Sequence, residues 1–91
     1  MNNTVTKAQI DRLIGESNIK TMTVFDKVTV VCVKLPNGFV ITESSGCVDP
    51  RNYDEAYGRE ICLERITNRL WELEGYHLSK KLEAEEKKNE G

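Results

Sequence analysis

The sequence predicts an α+β fold: a short N-terminal helix, a three-stranded antiparallel meander, a long C-terminal helix packed on the sheet, and a charged tail. Three observations carry that expectation. A capping-box signature opens a short stripe of helical period, a β-branched run ends at a Pro-Asn-Gly turn, and a second helical stripe follows and dissolves into nearly pure charge. At 91 residues the chain is one domain's worth of sequence. The expected division is a single domain over 1–78 and a tail over 79–91.

The first helix is announced by Thr6-Lys7-Ala8-Gln9, a hydroxyl at the N-cap with an amide three residues later. Ile10, Leu13 and Ile14 then fall at i, i+3 and i+4, one apolar stripe, and Gly15 to Asn18 close the helix. From Ile19 the residues favour strands. Thr21, Thr23, Val24 and Phe25 form the first, and Asp26-Lys27 can turn. Val28 to Leu35 is the strongest β segment, Pro36-Asn37-Gly38 is a hairpin turn, and Phe39 to Thr42 returns as the third strand. The middle strand is apolar on both faces: Val28, Val30 and Cys32 on one, Val31, Val33 and Leu35 on the other. Antiparallel sheets usually keep one face wet, so a second subunit is expected to share in covering it.

Ser44 to Pro50 reads as a connector. Asp49 can cap a helix whose first residue is Pro50, or Asn52 with Glu55 can form the cap one turn later. The long helix is expected from about Tyr53 to Leu78. Gly58, Cys62, Ile66, Leu70 and Leu73 trace its inner face, and Gly58 lets it lie close to the sheet. Gly75 can end or bend it. Tyr57 and Trp71 are expected in the core. The segment from Ser79 to Gly91 is a frayed helical or disordered solubilising tail.

Composition bounds the function. A net charge of −2 and a pI near 5.4 disfavour a protein held to duplex nucleic acid by phosphate neutralisation. No stretch approaches the roughly 18 apolar residues of a membrane span, and Met1 to Gln9 is polar, so a cytoplasmic protein is expected. The 3 cysteines are widely spaced and His77 is the lone histidine, which gives neither a disulfide framework nor a metal-ligand pattern. Cys32 and Cys62 read as buried thiols. No catalytic set, no metal and no cofactor is expected: His77 stands far from every cysteine, and no phosphate-binding glycine loop is present.

One constellation stands above this background. Arg65 and Arg69 are i, i+4, so two guanidinium forks share a helix face and can grip a phosphate or pyrophosphate. The alternative is surface pairing with Glu60, Glu64 or Glu72. Phe39 at the hairpin exit and Tyr53 at the helix start are placed to be partly exposed rings. A ring beside a pair of forks suits an adenine nucleotide.

The segments Asn37-Gly38-Phe39, Cys47-Val48-Asp49-Pro50-x-Asn52-Tyr53-Asp54, Gly58-Arg59-Glu60 and Leu70-Trp71-Glu72-Leu73-Glu74-Gly75-Tyr76 resemble the small gene-49/gene-66-like proteins of tailed phages. That group includes the first type of anti-Thoeris sponge. The resemblance implies a non-enzymatic protein of the host cytoplasm that sequesters a cyclic ADP-ribose isomer or a cyclic oligonucleotide. It further implies a homo-oligomer, dimer or hexamer, with pockets at subunit boundaries. Carried onto this chain, it makes Phe39 the ring, Asn52 the amide, and Arg65 and Arg69 the forks. Asn52 can equally be the helix cap. The competing expectations are a protein–protein module that inhibits a host enzyme, and a small nucleic-acid binder using Arg59, Arg65 and Arg69.

Overall fold

The computed structural model describes residues 3–90. Its elements follow the expected order: helix α1 (Lys7–Glu16), strands β1 (Asn18–Val24), β2 (Val28–Lys34) and β3 (Val40–Gly46), a single 3-10 turn (Pro50–Asn52), and helix α2 (Glu55–Glu90). The capping box of α1 is complete, since Gln9 N donates to Thr6 Oγ1 and Thr6 N donates to the Gln9 side chain. These two bonds satisfy donors that a helix start leaves orphaned.

The sheet is an antiparallel meander in the order β1-β2-β3. The register pairs Ile19 with Val33 and Val33 with Ile41, so three apolar side chains share one row beneath the helices. Thr29, Val31 and Val33 of β2 face that side and are fully buried, whereas Val28, Val30 and Cys32 on the opposite side are half-buried. Both helices pack on the first face, where Ile10, Cys62, Ile66 and Leu70 complete the core. The two-faced strand therefore has only one face covered by its own chain.

Gly58, Cys62, Ile66 and Leu70 form the buried stripe of α2 as their spacing predicts. At Gly58 the helix backbone passes so close to β2 that a β-carbon would stand 2.2 Å from Thr29 Oγ1. Leu73, expected on the same stripe, is exposed. The reason is length. Seven residues of strand span about 24 Å, which supports only about 16 residues of helix at 1.5 Å each. Beyond Leu70 the sheet has run out. Tyr57 and Trp71, expected in the core, are likewise exposed, because they stand about a quarter-turn from the Gly58–Leu70 stripe.

Other expectations need correction at their boundaries. The third strand runs to Gly46, taking in four residues beyond Thr42, because Thr42 to Gly46 pair in register with Cys32 to Val28. Gly75 neither ends nor bends α2, which continues as one helix to Glu90. The residues past Ser79 are good helix formers, and Lys87 pairs with Glu83 one turn earlier at 2.9 Å. The β1–β2 turn centres on Phe25 and Asp26, both left-handed at φ 54 and 56, with Lys27 N donating to Val24 O. In the second hairpin Gly38 alone takes positive φ, while the Asn37 side chain accepts from Phe39 N.

Candidate functional site along the seam between α2 and β3

At the end of the sheet nearest the β1–β2 turn the chain leaves β3 and re-enters as α2. Asp49 organises this passage. Its carboxylate accepts from Arg51 N at 2.9 Å and meets the Arg51 guanidinium at 2.7 Å. The side-chain bond from Arg51 holds the Asp49 carboxyl below the usual carboxylate range. Asp49 thus caps the 3-10 turn that begins at Pro50. One turn later Asp54 Oδ1 accepts from Tyr57 N at 3.2 Å and caps α2. Neither cap uses Asn52. Its side chain, one candidate for the helix cap, instead lines an open groove of about 180 Å³ with Ser45, Cys47, Tyr53, Tyr57 and Ile61.

Tyr53 forms a fixed wall of this groove. Its hydroxyl sits between Thr23 Oγ1 at 2.8 Å and Thr29 Oγ1 at 2.7 Å, and the Thr23 hydroxyl also bonds the Glu55 carboxylate. Thr29 is fully buried, so the tyrosine supplies the partner that its hydroxyl requires. Tyr57 also lines the groove and is freer, at 63% exposure. Sequence reasoning missed it, although its position directly before the sheet-facing Gly58 turns it toward the groove. Cys47 was also missed. Its thiol donates to the Asp49 carbonyl at 3.1 Å.

The arginine pair lies farther up the same side of α2. Arg65 donates to the Ser44 carbonyl at 2.8 Å, and Arg69 donates to the Thr42 carbonyl and the Glu43 carboxylate at 3.3 and 3.2 Å. Pairing with Glu60, Glu64 or Glu72 is not what these residues do. They reach across to the outer carbonyls of an edge strand, which would otherwise present unpaired acceptors. Among the described residues Arg65 meets no carboxylate. One of its guanidinium nitrogens is committed to Ser44, and a guanidinium carries five N–H donors. Arg59 reaches the other way, to Thr21 Oγ1 of β1 at 3.1 Å, so the third member of the arginine set stands on the opposite edge.

Phe39 occupies the far end of the seam, half-exposed, beside a second groove of about 270 Å³ with Leu35, Leu73 and His77. From Gly58 to Leu73 the helix rises about 22 Å. The five expected site residues do not share one strand: Arg65 and Arg69 bond β3, whereas the Tyr53 hydroxyl is held by Thr23 of β1 and Thr29 of β2. Asn52 and Tyr53 come together, Arg65 and Arg69 come together on neighbouring turns, and Phe39 stands apart. Behind them Cys62 is a structural thiol. Burial pushes it up, against the opposing pull of the Arg65 charge, and its sulfur donates to the Thr29 carbonyl.

No helix among the described residues is long and apolar enough to cross a membrane. The model of the family described as Phage protein (N4 Gp49/phage Sf6 gene 66) matches residues 5–82. No curated protein and no solved structure matches the chain. With most of its length matched, the chain belongs to that phage protein family.

Proposed function

We propose that this phage protein is a sponge: it binds cyclic ADP-ribose-type and cyclic oligonucleotide immune signals in the host cytoplasm and holds them uncleaved. The observation that carries this reading is the seam itself. An amide that caps no helix lines a ring-sized groove, and farther along α2 stand two guanidinium forks, Arg65 without a carboxylate partner among the described residues and Arg69 paired with Glu43. The groove of about 180 Å³ is smaller than the roughly 300–1,000 Å³ of a complete small-molecule pocket. It suits one ring of the ligand, with Tyr57 against its face and the Asn52 amide on its polar edge. The pyrophosphate then meets the forks of Arg65 and Arg69. Because Phe39 lies at the other end of the seam, the ring that closes the pocket comes from a second subunit.

The affinity required is high. Sequestering a signal stoichiometrically calls for a Kd near nanomolar, about −12 kcal/mol. Two charge-assisted hydrogen bonds contribute roughly 1.5–3 kcal/mol each, so ring burial at the subunit boundary must supply much of the remainder. Isothermal titration with cyclic ADP-ribose isomers and with cyclic di- and trinucleotides tests this. The expected result is saturable binding, with the ligand recovered intact after denaturation. Arg65→Glu and Arg69→Glu should each abolish it while circular dichroism stays native. Undiminished affinity in both variants, or a ligand recovered in altered form, would overturn the reading.

A second reading, a protein–protein module that inhibits a host enzyme, draws on the sheet face that this chain leaves uncovered. It predicts no heat with any nucleotide.

A further inference from the structure

We propose that the part of α2 that outruns the sheet, from Trp71 to Leu82, is a docking groove for a basic amphipathic helix of another protein. Past Leu70 the helix has left the sheet, and its apolar residues change faces. Trp71, Gly75, Leu78 and Leu82 follow one another at steps of four, three and four, a single stripe about 17 Å long. It stands about a quarter-turn round from the Gly58–Leu70 stripe that seals the core. With Val5 of the N-terminal segment as a side wall, it forms a shallow groove of about 440 Å³. Trp71 is 37% exposed, and Gly75, Leu78 and Leu82 are half-buried. Apolar anchors at this spacing are how one helix receives another.

Charge decides the occupant. Glu72, Glu74, Glu85 and Glu86 lie within about a quarter-turn of the stripe, against Lys81 as the one cation of that sector. Among the described residues none of these glutamates has an ion-pair partner. Two further lysines are turned away and engaged: Lys80 lies over the Tyr76 ring at 5.8 Å, and Lys87 pairs with Glu83 at 2.9 Å. A helix that carries lysines or arginines on both flanks of its own apolar face answers these acids. A second copy of this chain fits badly, because two such helices would set glutamate against glutamate along their flanks. An anionic membrane surface is repelled by the same acids.

Gly75 supplies an independent indication. A β-carbon there would meet nothing within 4 Å, so no contact inside this chain calls for a glycine, which costs about 1 kcal/mol against alanine in a helix interior. In the middle of an apolar stripe it lets the axis of a second helix approach to the near end of the usual range, about 8–10 Å. The region matched by the family model runs to residue 82, so it takes in the whole stripe and ends at its last leucine.

Trp71 is the sole tryptophan of the chain and reports on the groove directly. The full chain is titrated with a tryptophan-free leucine–lysine peptide patterned as an amphipathic helix of about five turns. No nucleotide is present, so the outcome is separate from the sponge reading. The expected result is a saturable blue shift of Trp71 emission with a Kd near micromolar, as suits a small interface. The leucine–glutamate peptide of the same pattern, and a scrambled leucine–lysine peptide, should leave the emission unchanged. Leu82→Asn and Gly75→Leu should each raise the Kd about tenfold, the first by removing an anchor and the second by holding the helices apart. Two substitutions guard against one that fails to fold, which circular dichroism detects. Joint Glu72→Lys and Glu86→Lys exchange should transfer binding from the lysine peptide to the glutamate peptide. No shift with the lysine peptide up to about 100 µM overturns the proposal, since a specific contact would be occupied well below that. So does equal binding of the scrambled peptide, or a charge exchange that leaves the preference unchanged. A blue shift produced by anionic vesicles, or by concentrating the chain alone, also overturns it, because a membrane or a second copy would then fill the groove.

Discussion

At Gly58 a β-carbon would stand 2.2 Å from Thr29 Oγ1 and 2.8 Å from Thr29 Cβ, whereas at Gly75 nothing lies within 4 Å. The same substitution in the same helix should therefore act in opposite directions. Alanine gains about 1 kcal/mol of helix propensity over glycine at either site. At Gly58 that gain is outweighed, because Thr29 is fully buried and bonded to Tyr53 and has nowhere to retreat. Gly58→Ala should destabilise by about 1–3 kcal/mol net, and Gly75→Ala should stabilise by about 0.5–1 kcal/mol, both read from urea midpoints. The close approach at Gly58 was legible in the sequence, since a glycine on an apolar helical stripe has few other uses. The cap of α2 was not. Asn52 and Asp54 both precede the helix at plausible spacing, and the backbone of the 3-10 turn decides between them. The arginine partners were hidden for a different reason: Thr42, Glu43 and Ser44 lie more than twenty residues away in sequence and meet the helix only across the fold.

Element boundaries followed local chemistry where that chemistry is self-contained. The capping box of α1 and the Pro-Asn-Gly hairpin are such cases, each settled within a few residues. The end of β3 is set by its partner strand, and Thr42 to Gly46 are too polar to announce a strand alone. The end of α2 depends on propensity and charge pairing rather than packing, so no apolar stripe marks it. Residues beyond Leu82 are exposed wherever their side chains are described, and the family match also stops at residue 82. Truncation after Leu82 should reduce helical circular dichroism yet change the unfolding free energy by less than about 0.5 kcal/mol, as surface changes away from the core do. A loss beyond about 1 kcal/mol in denaturant unfolding would mean that this segment packs against something.

The molecule measures 62 × 22 × 19 Å, with a radius of gyration of 17.1 Å, against about 12 Å for a compact chain of this length. The excess is the helix that outruns its sheet. The remaining asymmetry is the sheet itself, with a sealed core on one side and half-buried valines on the other. Apolar residues on both faces of β2 already indicated that one chain would not cover them. Nothing in the sequence showed that Arg65 and Arg69 would both reach one edge of the sheet, because that comes from how α2 straddles it, with Arg59 on β1 and Arg65 and Arg69 on β3. The proposed sponge function puts ligand recognition at the seam. Amide chemical-shift mapping during titration with a cyclic ADP-ribose isomer tests it most directly. The predicted shifts cluster at Ser44 to Cys47, Asn52 to Tyr57, Arg65 and Arg69. Shifts confined to Met22, Val28 and Val30 on the opposite face, or none at a saturating concentration, would contradict it.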